Sequence, residues 1–245
     1  MHPRSILRRF GAVLLACSMA LGVSGALAPS AGAATEANLN YVDSLYADLL
    51  DREDPFTDRA GKEFWANRLD TQSRTRVATD IQKASSEYYG HIVDLAYLTF
   101  LGRDPDPAGR AFYVDAWRRR TSTLELVVSA IVGSREYFNF NGANNDEFVE
   151  VAYLDILGRE PTPAEHASAL AVIASSSRAF VAKQLESSTE RRRQIVTDAY
   201  GRYLGRIPAD AERDYWVGRL EDGLRREFFD IAILASSEYY RANSD

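Results

Sequence analysis

An arginine ends the same short motif at four places in the chain, and its guanidinium is the side chain best suited to chemistry. The motif is Tyr-x-x-x-Leu-Gly-Arg, with Asp51 in place of glycine in the first copy. Its arginines are Arg52, Arg103, Arg159 and Arg206, separated by 51, 56 and 47 residues. A planar guanidinium binds a carboxylate or phosphate through two parallel hydrogen bonds. The motif therefore admits an anion- or partner-binding site repeated four times, or an ion pair within the fold.

A second recurring segment, Ser-x-Glu-Tyr, supplies possible partners for these arginines. Its glutamates are Glu87, Glu136 and Glu238. The third copy departs from the pattern, because Ser187-Ser188-Thr189 precedes Glu190 and Arg191 there, and we align no glutamate with the other three. A residue that every copy requires is typical of the architecture of the fold itself. We therefore favour the structural interpretation of the arginines and keep partner binding as the alternative.

Metal binding has one candidate, an acidic loop in the first copy. Asp51, Glu53, Asp54 and Asp58 offer carboxylate oxygens of the kind that bind calcium. Their spacing matches no known calcium loop, and the other copies lack this density of acids. We therefore predict a solvated loop that caps a helix, with no metal and no cofactor.

Residues for catalysis are scarce. The single cysteine is Cys17, and the histidines are His2, His91 and His166, none of them in a triad motif. Spacing singles out no carboxylate pair for glycoside hydrolysis, and Gly-Arg-x-Pro lacks the glycine-rich run with Lys-Ser/Thr of a phosphate loop. We predict that the protein is not an enzyme.

The elements that carry these residues have helical periodicity. In the first copy the apolar pairs Tyr41/Val42, Leu45/Tyr46 and Leu49/Leu50 recur every four positions, which excludes the period of two of a strand. Glycines close three of these helices in the left-handed conformation, namely Gly102, Gly158 and Gly205. A proline follows in every copy and prevents continuation of the helix.

A second helix in each copy begins near Asp58, Asp106, Thr162 or Asp210, which suit an N-cap or first turn. Its predicted apolar face is aromatic in three copies: Phe64, Trp65 and Leu69; Phe112, Tyr113 and Trp117; Tyr215, Trp216 and Leu220. The third copy has the smaller Ala169 and Ile173. We interpret Trp65, Trp117 and Trp216 as core residues, with a sugar-binding face as the alternative. A third helix is predicted to run on to the Ser-x-Glu-Tyr end.

These observations predict an all-α fold of four tandem three-helix repeats, about twelve helices, stacked into a helical array. The predicted boundaries are residues 1–33 for a signal peptide and 41–89, 91–138, 147–192 (degenerate) and 194–240 for the repeats. The polar stretch 139–147 is the longest break and is predicted to divide the array into two pairs.

The first 33 residues have the three parts of a secretory signal. Arg4, Arg8 and Arg9 precede an apolar run from Phe10 to about Ala28, and small residues precede a predicted cleavage before Ala34. Lipidation at Cys17 and a retained anchor helix are the alternatives. After cleavage the chain contains no transmembrane segment and no cysteine. The net charge of −6 argues against nucleic acid and anionic membranes as partners.

The combination of Tyr-x-x-x-Leu-Gly-Arg-x-Pro, an aromatic helix and Ser-x-Glu-Tyr-Tyr resembles the bacterial domain of unknown function 4214 over nearly all of the mature chain, most closely in the fourth copy. More distantly, Tyr200, Leu204-Gly-Arg206, Gly223 and Ser237-Glu-Tyr-Tyr-Arg241 resemble the linker domain of phycobilisome linker proteins. The first resemblance implies secretion and repetition without an established activity, and the second implies scaffolding.

Three functions follow as hypotheses. The leading one is a secreted, non-catalytic helical-repeat protein that binds a protein or a cell-envelope component. The second is a carbohydrate- or cell-wall-binding module, which requires exposed aromatic side chains. The third is an extracellular hydrolase, which requires a deep cleft, expected near 139–147.

Overall fold

The computed structural model describes residues 34–52, 58–84 and 86–245, and all regular structure within them is helical. The helices are α1 (Glu36–Leu50), α2 (Arg59–Arg68), α3 (Arg74–Ala84), α4 (Glu87–Leu101), α5 (Pro107–Arg118), α6 (Leu124–Val132), α7 (Arg135–Phe140), α8 (Asn145–Leu157), α9 (Pro163–Ser175), α10 (Arg178–Glu186), α11 (Thr189–Leu204), α12 (Asp210–Glu221), α13 (Arg226–Leu234) and α14 (Ser237–Ala242). The predicted all-α class is confirmed. The predicted signal peptide, with Cys17, lies outside the described residues, as do residues 53–57 of the acidic loop.

The predicted ends of the long first helices are confirmed. Gly102, Gly158 and Gly205 follow α4, α8 and α11 with φ values of 66°, 69° and 64°. Asp51 takes the same left-handed conformation after α1, with φ of 57°. Glycine adopts this conformation without steric cost and aspartate tolerates it, so each helix stops two residues before its motif arginine.

The second helices begin at the predicted caps. The side chains of Asp58, Asp106 and Thr162 each accept a hydrogen bond from a backbone N–H in the first turn of α2, α5 and α9. In the fourth copy the N-cap is Ala209, and Asp210 is the first residue of α12. An acid in the first turn is stabilised there by the helix dipole.

The Ser-x-Glu-Tyr segments differ from the prediction, because they begin helices instead of ending them. Ser134, Ser188 and Ser236 accept a hydrogen bond from the backbone N–H of the third residue of α7, α11 and α14. A serine that caps a new helix cannot continue the preceding one. This start gives fourteen helices in the described residues in place of about twelve, and the predicted boundaries at 89–91 and 192–194 fall inside α4 and α11.

The polar stretch 139–147 does not divide the molecule, contrary to prediction. It contains the end of α7 and the start of α8, while α6 and α10, from either side of it, pack closely together. Gly133, at the end of α6, lies so near α10 that an added Cβ would stand 2.4 Å from the Cα of Ala179. Val127, Ile131, Val181 and Leu185 of these helices are buried in one continuous apolar cluster.

The two ends of the described chain also meet. Helix α14 packs on α1, with the Tyr239 ring edge-on to Tyr41 at 6.0 Å between centroids. The Tyr41 hydroxyl donates to the backbone carbonyl of Leu234 over 3.0 Å. The α3 side chain of Gln82 donates to the carbonyl of Glu227 in α13. The first and last parts of the described chain are therefore neighbours.

Candidate functional site

Each motif arginine lies in its own cluster of side chains, and the four clusters have the same arrangement. The arginine Nε and one terminal nitrogen donate to the two carboxylate oxygens of a glutamate at 2.6–2.9 Å. The four pairs are Arg52–Glu87, Arg103–Glu136, Arg159–Glu190 and Arg206–Glu238. The glycine- or aspartate-closed helix end positions the arginine, and the first turn of a following helix positions the glutamate. That turn is capped by a serine side chain in the last three clusters. Such a two-bond contact fixes both partners in orientation as well as in distance.

The motif tyrosine contacts the arginine of its cluster through the face of its ring. The guanidinium carbon lies over the ring of the tyrosine six residues earlier, at 5.3 Å for Tyr46, 5.3 Å for Tyr97, 5.5 Å for Tyr153 and 4.8 Å for Tyr200. A cation over an aromatic face is stabilised by the ring quadrupole. The tyrosine, arginine and glutamate of the two sequence motifs are thus brought together at all four places.

The third copy corrects the sequence alignment, which assigned no glutamate to it. Glu190 follows the N-cap Ser188 by two residues, as Glu136 follows Ser134, and it pairs with Arg159 over 2.7 and 2.8 Å. What the third copy has lost is the following pair of aromatic residues, where Arg191 and Arg192 stand. The cap serine was the signal that would have identified Glu190.

A second glutamate, not predicted from the sequence, joins the cluster in the third and fourth copies. Glu165 and Glu212 lie three residues after the N-cap, where each accepts the cap N–H at 2.8 Å and two hydrogen bonds from Arg159 or Arg206 at 2.7–2.9 Å. Thr162-x-x-Glu165 is a capping-box sequence and was the available signal. Hydrogen bonds from the guanidinium, then from the backbone, lower the pKa of both carboxyls to about 2.

These contacts determine what the clusters can do chemically. The three nitrogens of Arg159 and of Arg206 all donate to protein oxygens. The hydrogen bonds from arginine also lower the pKa of Glu136, Glu190 and Glu238. One guanidinium and two ionised carboxylates together carry a net negative charge, which repels an external anion.

The aromatic second helices are only partly as predicted. Trp117 is buried, whereas Trp65 and Trp216 are half-buried. The aromatic residue six positions after each N-cap, assigned to the apolar face, is instead exposed: Phe64 by 51%, Phe112 by 68% and Tyr215 by 56%. Because neighbouring side chains on a helix point about 100° apart, only one of two adjacent rings can enter a narrow core.

Each histidine in the described residues lies near an aspartate. The Nδ1 of His91 lies 3.3 Å from a carboxylate oxygen of Asp51, and the Nε2 of His166 lies 3.9 Å from one of Asp146. Within residues 34–52, 58–84 and 86–245, no group of three or more His, Cys, Asp or Glu side chains has the arrangement of a metal site. No helix in the same residues combines the length and apolarity needed to cross a bilayer.

Two surface cavities accompany the clusters. One, of about 790 Å³, lies between α11 and α12 and has mostly charged or polar walls, including Arg193, Asp198 and Arg213. The other, of about 420 Å³, lies among α8, α9 and α10 beside Arg159. Neither is lined by a residue of 139–147, where a hydrolase cleft was expected.

Comparison with known proteins gives one match. No curated protein and no solved structure matches the chain. A family model matches residues 28–92, which include α1, α2, α3 and the start of α4. Over this segment the chain resembles the family described as a domain of unknown function, DUF4214.

Proposed function

We propose that this is an exported, non-catalytic protein of four three-helix repeats that binds a protein partner at the cell surface through exposed aromatic side chains. The repeats are α1–α3, α4–α6, α8–α10 and α11–α13. Helices α7 and α14 are separate forms of the Ser-x-Glu-Tyr segment, which in α4 and α11 is continuous with the long helix that follows. The Tyr–Arg–Glu clusters connect the end of the first helix of each repeat to the start of a later helix, and we assign them no ligand.

The observation that carries the partner-binding proposal is the position of the exposed rings. Phe64, Phe112 and Tyr215 each lie six residues after the N-cap of the second helix, and each is held edge-on to the next aromatic residue at 4.9–5.3 Å between centroids. A ring whose position is already restricted by packing on its neighbour loses less conformational entropy on binding than a side chain without such a contact. Aromatic residues of this kind are enriched at protein interfaces.

The test is capture of envelope proteins on the immobilised protein without its leader. We expect a discrete partner to be retained by the wild type and to be lost with the triple substitution Phe64→Ser, Phe112→Ser and Tyr215→Ser. Ile207→Ser is the matched control, because Ile207 is 79% exposed and lies outside the second helices. Equal retention by the wild type and the triple variant would refute the assignment of the binding surface.

A carbohydrate or cell-wall polymer is the second candidate, and the same exposed rings favour it, since an aromatic face packs against the apolar face of a sugar ring. This candidate predicts sedimentation of the protein with purified cell walls after their proteins have been removed by protease. Loss of sedimentation in the triple variant, with retention in Ile207→Ser, would support it. Failure of the wild type to sediment would exclude it and leave the protein partner.

Export is part of the proposal and rests on the charged, apolar and small-residue parts of residues 1–33. Expression of the full chain with a carboxyl-terminal tag should yield the protein outside the cytoplasm, with Ala34 as its first residue by amino-terminal sequencing. Recovery of residues 1–33 on the exported protein would instead support a retained anchor. A lipid on Cys17 would be detected by mass spectrometry.

A further inference from the structure

The third copy contains a cavity at the place where the fourth copy holds an indole ring. In the fourth copy Trp216 lies seven residues after the N-cap of α12, and its ring packs on Phe229 of α13 at 5.1 Å between centroids. Its Nε1 donates to the hydroxyl of Tyr200 over 3.1 Å. The indole therefore fills the space among the three helices α11, α12 and α13.

The equivalent positions of the third copy carry small side chains. Ala169 lies seven residues after the cap of α9, in the place of Trp216, and Val181 lies four after the cap of α10, in the place of Phe229. Both residues line the cavity of about 420 Å³, together with Tyr153, Leu157 and Leu185. Charged side chains of the third cluster, namely Arg159, Glu165 and Glu190, also line it, so it has an apolar and a polar side. A cavity of this volume with both kinds of wall is in the range of small-molecule sites.

One polar group in this cavity is left without the partner that its counterpart has. Tyr153 corresponds to Tyr200, since each lies six residues before its motif arginine. The hydroxyl of Tyr200 accepts the indole N–H, whereas the hydroxyl of Tyr153 makes no hydrogen bond to another residue in the part of the chain that the structure describes. Tyr153 is 8% exposed and lines the cavity, so a donor that enters the cavity can reach its hydroxyl oxygen.

We propose that this cavity binds an indole ring, with its faces against Leu157, Val181 and Leu185 and its N–H donating to the hydroxyl of Tyr153. The internal template for this pose is Trp216 on Tyr200 and Phe229. The ring belongs either to a free indole compound or to a tryptophan side chain of a peptide. The inference does not depend on the partner-binding function proposed above, which uses other residues.

The test is calorimetric titration of the mature protein with indole and, separately, with N-acetyl-tryptophanamide. We expect one site with a dissociation constant of about 1 mM or lower for at least one of them. In Ala169→Trp the indole of the new side chain occupies the cavity, so the affinity for added ligand should fall at least tenfold. The melting temperature should rise by roughly 2–4 °C, because the cavity is filled. Ala171→Trp is the matched control, because it adds the same side chain to an exposed position of α9 and should leave binding unchanged.

Tyr153→Phe tests the hydrogen bond without altering the shape of the cavity. Loss of one neutral hydrogen bond should weaken binding by roughly fivefold, with the circular dichroism spectrum unchanged. Binding of indole alone or of the amide alone would support the site and identify the source of the ring. Absence of binding by both compounds, or undiminished binding in a folded Ala169→Trp protein, would overturn the proposal.

Discussion

The hydroxyl of Tyr239, in the last helix, donates a 2.6 Å hydrogen bond to the carboxylate of Asp48, in the first helix. The same contact occurs between neighbours in the chain, where Tyr137 of α7 donates to Asp155 of α8 over 2.7 Å. The ring packing is also duplicated, since Tyr239 lies 6.0 Å from Tyr41 and Tyr137 lies 5.9 Å from Phe148. Helix α14 therefore packs on α1 in the same way as α7 packs on α8, although α14 and α1 are far apart in the sequence.

This equivalence predicts equal effects of two substitutions. Tyr239→Phe and Tyr137→Phe each remove the hydroxyl and leave a largely buried carboxylate without its donor, so each should lower the free energy of unfolding by about 1–3 kcal/mol. Urea denaturation followed by circular dichroism measures both. An effect of Tyr239→Phe below half that of Tyr137→Phe would show that the closing contact is weaker than its internal copy.

Local features of the fold could be predicted from the sequence. The left-handed ends at Gly102, Gly158 and Gly205 and the caps at Asp106 and Thr162 depend on residues within one helical turn, where backbone conformation and capping chemistry decide the outcome. The pairing of Glu190 with Arg159 was not predicted from the sequence. The alignment relied on the aromatic pair that follows the glutamate and neglected Ser188, which determines where the helix begins.

Contacts between distant segments could not be predicted in this way. Asp48 and Tyr239 are 191 residues apart, and nothing in the periodicity of either helix selects the other as its partner. The exposure of Phe64 and Phe112 was missed because helical spacing shows which residues share a face but not how wide the buried stripe is. The cavity beside Ala169 is likewise visible only when α9 is placed against α8 and α10.

The motif arginines should differ in their contribution to stability. Arg206 bonds two carboxylates, Glu212 and Glu238, whereas Arg103 bonds the single carboxylate of Glu136. Arg206→Ala leaves two glutamates facing each other, so we expect a loss of roughly 1–2 kcal/mol in the free energy of unfolding and a smaller loss for Arg103→Ala. Urea denaturation at low and high salt measures both. Equal losses would contradict a role for the second glutamate.

Gly133 should be required for the contact of α6 with α10. In Gly133→Ala the new Cβ would stand 2.4 Å from the Cα of Ala179, and the helices would have to separate, at a cost of roughly 1–3 kcal/mol. Gly201→Ala is the matched control, because Gly201 lies inside α11 with no atom near the added Cβ. That substitution should stabilise the protein by about 0.5–1 kcal/mol through helix propensity. Thermal unfolding of both variants tests the pair, and a neutral Gly133→Ala would contradict the close approach.

Stability should reach its maximum on the acidic side of neutrality. Burial raises the pKa of Asp155 and of Asp230 to about 6, so the native state binds more protons than the unfolded state between about pH 4 and pH 6, and stability falls as the pH rises through that range. The carboxyls of Glu165 and Glu212, with pKa lowered to about 2, have the opposite effect, since their stabilisation is lost as the pH falls below about 4. The melting temperature should therefore be highest near pH 4–5.

Asp155→Asn isolates one part of this dependence. The amide cannot ionise, and its oxygen still accepts the hydrogen bond from Tyr137, so the decline in melting temperature between pH 5 and pH 7.5 should become shallower while the loss below pH 4 is retained. Glu212→Gln is the complementary variant, because it should reduce the acid loss and leave the decline above pH 5 unchanged. A wild-type melting temperature that rises steadily from pH 4 to pH 7.5 would contradict the raised pKa values of the buried aspartates.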